Sequence, residues 1–170
     1  MLDVMVKLRA PSLRFGLSII LVMSLTACTT LNNKVGTALN FETDLKLTIK
    51  VDSNINLDEN KNPSPLFIRL YELNSPKMFS KSDFINLYDR DKESLGADMV
   101  SKQVLKRLKP GEDSQFKLVL DKETKYVGLY AEFLDYNGAK YKMVFPVVAN
   151  NVIRTAVKIH VSGNKINLLE

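Results

Sequence analysis

The sequence is poor in the residues that most often build catalytic and metal sites. Its 170 residues include one cysteine, one histidine and no tryptophan. A single cysteine permits no disulfide within the chain, and one histidine cannot complete a zinc set. The sequence also lacks a Gly-x-Ser-x-Gly elbow and a phosphate-binding glycine loop. These absences predict a protein that is not an enzyme and that holds no metal or cofactor.

A strong charge of one sign is missing as well. The formal net charge is only +5, and Lys7, Arg9 and Arg14 in the N-terminal segment contribute to it. The other basic residues are scattered among acids, as where Lys109 is followed by Glu112. A nucleic-acid-binding surface needs basic residues clustered along one face. The sequence therefore predicts no nucleic-acid partner.

No apolar run is long enough to span a membrane. Residues 15–25 are uncharged and follow the three basic residues of the N-terminal segment. As a helix, this run would span about 16 Å, roughly half of a bilayer core, and polar residues follow it at once. Basic residues followed by a short apolar run are typical of a secretory signal peptide. We therefore expect residues 1–27 to be a cleaved leader rather than a transmembrane anchor.

Cys28 is the residue that such a leader would leave behind. The segment Leu25-Thr26-Ala27-Cys28 resembles a bacterial lipobox, with a large aliphatic residue followed by two small residues and the cysteine. A peptidase pocket accepts small residues beside the cleaved bond, and the thiol is the nucleophile that takes a diacylglycerol. Acylation of the new amine would add a further chain, and more than one chain gives durable anchoring. The alternative is a buried free cysteine.

The residues after Cys28 indicate where the protein is held and how far its domain can reach. Thr29 stands where an aspartate would resemble an inner-membrane retention signal in enteric-type bacteria. Because that aspartate is absent, we expect the protein to be held at the periplasmic face of the outer membrane. Residues 28–43 are mostly small and polar, which predicts an acylated N-terminus and a flexible tether of about 50 Å when extended. Residues 44–170 would then form a periplasmic domain.

Most of that domain alternates between apolar and polar residues, which is the period of half-buried strands. Asn137-Gly138 is a strong hairpin turn between two of them. A single short helix is expected at 82–90, with Ser82 as its N-cap. The sequence therefore predicts a mainly β protein, a two-sheet antiparallel β-sandwich with one short helical insertion. The predicted strands are 44–51, 65–73, 100–108, 116–120, 125–136, 139–147, 151–161 and a short end at 166–168.

The loop at 53–64, SNINLDENKNPS, is the first candidate for a functional segment. It is longer than a hairpin connection needs, and loops of about a dozen residues without structure are often functional. Its residues 58–62, DENKN, match the first five positions of an EF-hand calcium loop. Pro63 and Arg69, however, stand where that loop requires glycine and glutamate. A binding loop and a plain solvated connection both remain open from the residues alone.

Tyrosines on the predicted strand 125–136 are the second candidate. Tyr126, Tyr130 and Tyr136 lie on one face of it and could form the platform of a periplasmic sugar- or peptidoglycan-binding lipoprotein. The favoured interpretation is that they pack against the helix or the other sheet. His160 falls opposite the apolar residues of its strand and is expected to face solvent.

The order of these features is similar to a known family, the outer-membrane lipoprotein of the bacterial type VI secretion system, called TssJ or SciN. The resemblance covers about residues 43–168 and follows the lipobox at Cys28. Its residues are PLFIRLYEL at 65–73, Phe79, DFINLY at 83–88, LGAD at 95–98 and LKPGE at 108–112.

The resemblance implies a transthyretin-like sandwich with a helical addition and a non-enzymatic role. In the family, the lipoprotein binds the periplasmic C-terminal region of the inner-membrane protein TssM and helps to assemble the envelope-spanning complex. The family's contact loop corresponds by position to residues 53–64. We therefore expect partner contacts from the loop tip and no small-molecule substrate. The tip residues are Asp58, Glu59, Asn60 and Lys61.

Overall fold

The computed structural model describes residues 42–150 and 155–169. The predicted leader and lipobox, with all but the end of the tether, lie outside the described residues. So does the predicted strand start at 151–154. Within the described part, no helix has both the length and the apolar character needed to cross a membrane.

Eight strands and three short helices make up the described domain. The strands are β1 (Thr43–Val51), β2 (Ile68–Leu73), β3 (Met99–Val104), β4 (Ser114–Leu120), β5 (Tyr126–Ala131), β6 (Lys142–Pro146), β7 (Thr155–Ser162) and β8 (Lys165–Leu168). Between β2 and β3 lie α1 (Lys77–Lys81), α2 (Phe84–Asp89), α3 (Asp91–Leu95) and a 3-10 turn at Gly96–Asp98.

The strands form the two sheets that the sequence predicts. One has the order β4-β1-β7-β8 and the other β3-β2-β5-β6. Neighbouring strands are antiparallel, except that β1 and β7 run parallel, with Leu45 opposite Thr155 and Val51 opposite Val161. The antiparallel prediction is wrong for this one pair. A parallel pair needs a crossover connection, and here the whole second sheet lies between β1 and β7 in the sequence.

The main core lies between the facing sheets. Along β1, Leu45, Leu47 and Ile49 are fully buried while the residues between them are half-buried. Leu70 of β2 and Leu129 of β5 meet them from the second sheet. The alternation that predicted these strands is therefore confirmed, and burial of each large apolar side chain stabilises the sandwich by roughly 1.5–3 kcal/mol.

The outer face of the second sheet is covered by the helices. Tyr71 of β2 and Tyr130 of β5 are fully buried against Phe79 of α1 and Leu87 of α2. This second cluster explains why β5 is buried on both faces. The helix predicted at 82–90 is present as α2, but the insertion also contains α1 and α3, which the sequence did not predict.

The predicted N-cap, Ser82, is also wrong. Asp83 caps α2, because its Oδ1 accepts a hydrogen bond of 2.8 Å from the backbone N–H of Asn86. Ser82 instead ends α1, where its hydroxyl donates to the carbonyl oxygen of Met78 at 2.9 Å. The two helices are therefore separated by a defined break at 82–83.

Strand β5 is shorter than the predicted 125–136. It ends at Ala131, and the backbone N–H of Phe133 turns back to the carbonyl oxygen of Ala131 at 3.0 Å. Residues 132–141 form a connection that leaves the sheet before β6 returns antiparallel to β5. The turn at Asn137-Gly138 lies in this connection, and Gly138 has the positive φ of 68° that such a turn favours. The hairpin prediction is confirmed, with a longer connection than expected.

Candidate functional site

The loop at 53–64 is a compact turn built around one carboxylate. Oδ1 of Asp58 accepts hydrogen bonds from the backbone N–H groups of Asn60 and Asn62 at 2.9 and 2.8 Å. Beneath it, Leu57 and Pro63 pair in an isolated β-bridge. Asp58 is therefore engaged in holding the turn. Its neighbours in the predicted tip are exposed, namely Glu59, Asn60 and Lys61.

Asn56 fixes this loop to two other segments. It is only 4% exposed and has a positive φ of 47°, a conformation that asparagine tolerates better than most residues. Its backbone N–H donates to the carbonyl oxygen of Gly163 at 3.0 Å, and its Nδ2 donates to that of Pro65 at 2.9 Å. Its Oδ1 accepts from the backbone N–H of Leu134 at 2.8 Å. No sequence pattern marks Asn56 as a site residue.

These contacts enclose a cleft of about 580 Å³. The 53–64 loop forms one wall, the 132–141 connection forms another, and the turn at 163–164 completes it. Three of the four predicted tip residues line the cleft, and Asn60 does not. The lining residues are Asn56, Leu57, Asp58, Glu59, Lys61, Leu134, Asp135, Gly163 and Asn164.

The second wall rests on helix α2. The ring of Tyr136 stacks on that of Phe84, with centroids 4.2 Å apart and planes at 9°. Phe84 also lies parallel to Tyr88, at 6.2 Å. Aromatic pairs of this kind stabilise by roughly 0.5–1.5 kcal/mol beyond the area they bury. The helical layer therefore positions the cleft wall.

The three tyrosines of the predicted platform do not form an exposed row. Tyr130 is fully buried, and its hydroxyl donates to the carbonyl oxygen of Phe84 at 3.2 Å. Its burial raises the pKa of its phenol. Tyr126 packs half-buried against the same cluster, and Tyr136 is 38% exposed on Phe84. The interpretation that they contact the helical layer is confirmed for Tyr130 and Tyr136.

Charged groups beneath the helices are paired with one another. Asp91 accepts a hydrogen bond from the hydroxyl of Tyr71 at 2.9 Å and pairs with Nζ of Lys102 at 2.6 Å. Burial alone would oppose ionisation, but the Lys102 and Tyr71 hydrogen bonds hold the pKa of the Asp91 carboxyl below its usual value. Arg69 of β2 donates to Glu132, which follows β5, and to the carbonyl oxygen of Tyr88 in α2 at 2.9 Å. This network ties α3 and α2 to the second sheet.

The prediction that His160 lies on the outer face of its strand is confirmed, because Ile159 and Val161 on either side of it are buried and His160 is not. Its side chain is about one third exposed, and its Nε2 lies 2.8 Å from Oδ1 of Asp52. The contact forms because Lys50 of β1 lies opposite His160 of β7, which brings Asp52, the residue that follows β1, next to the imidazole ring. Hydrogen bonds from His160 and Ser162 hold the pKa of Asp52 below its usual value. Residues 42–150 and 155–169 contain no cluster of three or more metal-ligating side chains.

Comparison with known proteins gives a consistent set of similarities. A protein-family model described as type VI secretion lipoprotein, VasD, EvfM, TssJ, matches residues 43–164. The type VI lipoprotein TssJ1 from Pseudomonas aeruginosa is 26% identical, with a TM-score of 0.68 over 75% of this chain and 95% of that chain. A chain of a structure described as a type VI membrane complex is 27% identical, with a TM-score of 0.65 over 76% and 99%.

A third similar chain comes from a structure described as the type VI protein TssM C-terminal domain (869-1107) from EAEC. It is 25% identical, with a TM-score of 0.63 over 75% of this chain and 98% of that chain. No curated protein matches the sequence. The family model spans well over half of the residues, and the similar structures share the two-sheet fold. The chain therefore belongs to the type VI secretion lipoprotein family that includes TssJ.

Proposed function

We propose that this protein is the outer-membrane lipoprotein of a type VI secretion membrane complex and that it binds the periplasmic C-terminal region of TssM. The family match over residues 43–164 is the observation that carries the proposal. Under this proposal, Cys28 is the acylated first residue of the mature protein and holds the domain at the periplasmic face of the outer membrane. In this proposal the lipid on Cys28 is the protein's only non-protein group, and the protein catalyses no reaction.

The similar structures support a partner of this kind. One is described as a type VI membrane complex, and another names the TssM C-terminal domain. Three quarters of this chain matches 98% of the chain in the latter structure. That matched chain is therefore much shorter than the span 869–1107. This length fits a lipoprotein chain held in the same structure as TssM.

Three acidic side chains of the described domain are engaged within the protein, which fits a binding role. Asp58 holds the loop turn, and Asp91 is paired with Lys102. His160 is engaged with Asp52. A general base needs hydrogen-bond reach to a substrate, whereas these carboxylates are engaged by groups of the protein itself.

The exposed tip of the 53–64 loop is the proposed contact with TssM. The loop leaves β1 at one end of the sandwich, and Glu59, Asn60 and Lys61 project from it. The compact turn around Asp58 presents these residues in a fixed conformation, which lowers the ordering cost of binding.

A pull-down with a TssM periplasmic fragment tests the proposal. Both hydrophobic clusters lie within residues 45–166, so residues 43–170 are suitable as the soluble domain. We expect this domain to bind the fragment. Replacing 58–62 with Asn-Gly closes the loop where Leu57 and Pro63 already pair, and we expect it to abolish binding while the thermal unfolding transition is retained.

The control changes a turn at the other end of β1. Lys122 and Glu123 are exposed in the β4–β5 turn, and their replacement by alanine should leave binding unchanged. Full binding by the shortened domain would show that the loop is not the contact. Failure of the intact domain to bind would overturn the proposed partner.

A further inference from the structure

The cleft beside the 53–64 loop has walls that the loop itself does not supply. Leu134 and Asp135 come from the 132–141 connection, and the turn at 163–164 joins β7 to β8. A plain binding loop would project alone into solvent. Here the loop instead faces a second surface across about 580 Å³ of open space.

Asn56 holds the three walls of the cleft in fixed positions relative to one another. One residue donates to the carbonyl oxygens of Gly163 and Pro65 and accepts from the N–H of Leu134. It is almost completely buried. Since the polar atoms of a buried asparagine are costly to leave unpaired, the loop and the two other segments are held together before any partner arrives.

The second wall is apolar and exposed. The side chain of Leu134 is 60% exposed, and the ring of Tyr136, two residues on, is 38% exposed. Tyr88 is 48% exposed, and its ring is parallel to that of Phe84, on which Tyr136 also stacks. Single exposed apolar residues need no explanation, but contiguous ones mark interaction surfaces. This row runs from the cleft toward α2.

The charges of the cleft oppose those of the chain as a whole. Asp58, Glu59 and Asp135 line it with only Lys61 against them, whereas the full sequence carries a formal net charge of +5. The carboxylate of Asp58 is used within its own turn. Glu59 and Asp135 are exposed on opposite walls. Oδ1 of Asp135 accepts a hydrogen bond from the backbone N–H of Asn137 at 3.2 Å, and its charge still faces solvent.

We propose that the cleft receives a segment of the periplasmic partner that carries a lysine or arginine beside an apolar residue. The cation lies between Glu59 and Asp135, and the apolar side chain packs on Leu134 and Leu57. The 132–141 connection is then a second contact surface in addition to the loop tip. This inference rests on the proposed function, since it describes how the same partner is held.

The test uses the full-length lipoprotein in detergent and a TssM periplasmic fragment as the probe, with Kd measured at low and high salt. Asp135→Lys is expected to weaken binding about tenfold or more, because it places like charges together. Leu134→Ser should also weaken binding, by roughly tenfold, through lost apolar contact. Asp135→Glu keeps the charge and should bind close to the wild type.

Glu123→Lys is the matched control, because it makes the same charge change on an exposed residue at the opposite end of the domain. It should shift Kd less than about twofold, and the wild-type Kd should rise with salt as the charges are screened. Wild-type affinity in both Asp135→Lys and Leu134→Ser would overturn the inference and leave the loop contact standing. Absence of binding by the wild-type protein would overturn the proposed function and this inference with it.

Discussion

The side-chain oxygen of Asn56 accepts a hydrogen bond of 2.8 Å from the backbone N–H of Leu134, across 78 positions of sequence. This bond joins the 53–64 loop to the 132–141 connection. Because the same residue also bonds Pro65 and Gly163, the cleft is closed at its base by a single side chain and its backbone. The shape of the proposed binding surface therefore depends on one buried asparagine.

Replacing Asn56 with alanine tests this dependence. We expect Asn56→Ala to lower the free energy of unfolding by about 1–3 kcal/mol, since polar groups of Leu134 and Pro65 lose their partners. Urea denaturation of residues 43–170 measures the change, and amide exchange at Leu134 should accelerate. Asn54→Ala, at an exposed position of the same loop, is the control. An unfolding free energy equal to that of the wild type would contradict this role.

Gly128 is required by the close approach of helix α1 to strand β5. A Cβ built at this position would lie 2.9 Å from Cζ of Phe79, closer than such atoms pack. We expect Gly128→Ala to destabilise the domain by about 1–3 kcal/mol, because the ring of Phe79 must shift within a packed cluster. Thermal or urea unfolding measures the loss.

The same substitution in a Phe79→Leu background separates this clash from a general loss of strand stability. Leucine lacks the ring atoms that a Cβ at Gly128 would meet. Gly128→Ala should therefore cost less in this background than in the wild type, as expected for residues in contact. Equal costs in both backgrounds would show that the contact with Phe79 is not the cause.

The sheets were predictable from the sequence, whereas only one of the three helices was. In β1, strict alternation of Leu45, Leu47 and Ile49 with polar residues marks a strand by itself. The helix predicted at 82–90 is α2, at Phe84–Asp89. Helices α1 and α3 have five residues each, which is too short for a 3.6-residue period to be recognised. The parallel pairing of β1 with β7 depends on which distant strands meet, and no local pattern reports that.

For the site, the loop was predictable from the sequence but its surroundings were not. The length and composition of 53–64 were visible, and so was the resemblance that relates it to a partner. The role of Asn56 was not, because it arises only when Leu134 and Gly163 meet the loop in space. Asn56 is one of several asparagines in that loop, and nothing in the sequence distinguishes it. The roles of Tyr71 and Asp91 likewise depend on a tertiary contact.

Membrane attachment is predicted to depend on Cys28, which lies outside the described residues. Cys28→Ser removes the thiol that would take the lipid, so the protein should remain uncleaved or be recovered in the soluble periplasmic fraction. Incorporation of labelled palmitate and membrane fractionation measure this. Thr29→Asp keeps the thiol and should move the protein toward the inner membrane. Wild-type recovery of Cys28→Ser in the outer membrane would show that the lipid is unnecessary.

Acid should weaken the attachment of the helical layer through Asp91. Hydrogen bonds from Lys102 and Tyr71 hold the pKa of its carboxyl below the ordinary value of 3.8 despite burial. A carboxylate with a lowered folded-state pKa stabilises fully above its unfolded pKa and loses that contribution as pH falls through the folded value. The free energy of unfolding should therefore fall below about pH 4 in the wild type. Asp91→Asn should be less stable at neutral pH, and its free energy of unfolding should fall less steeply with acid, as measured by urea unfolding at each pH.

Glu59→Gln, which removes an exposed carboxylate, is the control and should follow the wild type. An unchanged slope in Asp91→Asn would show that other carboxylates carry the acid response.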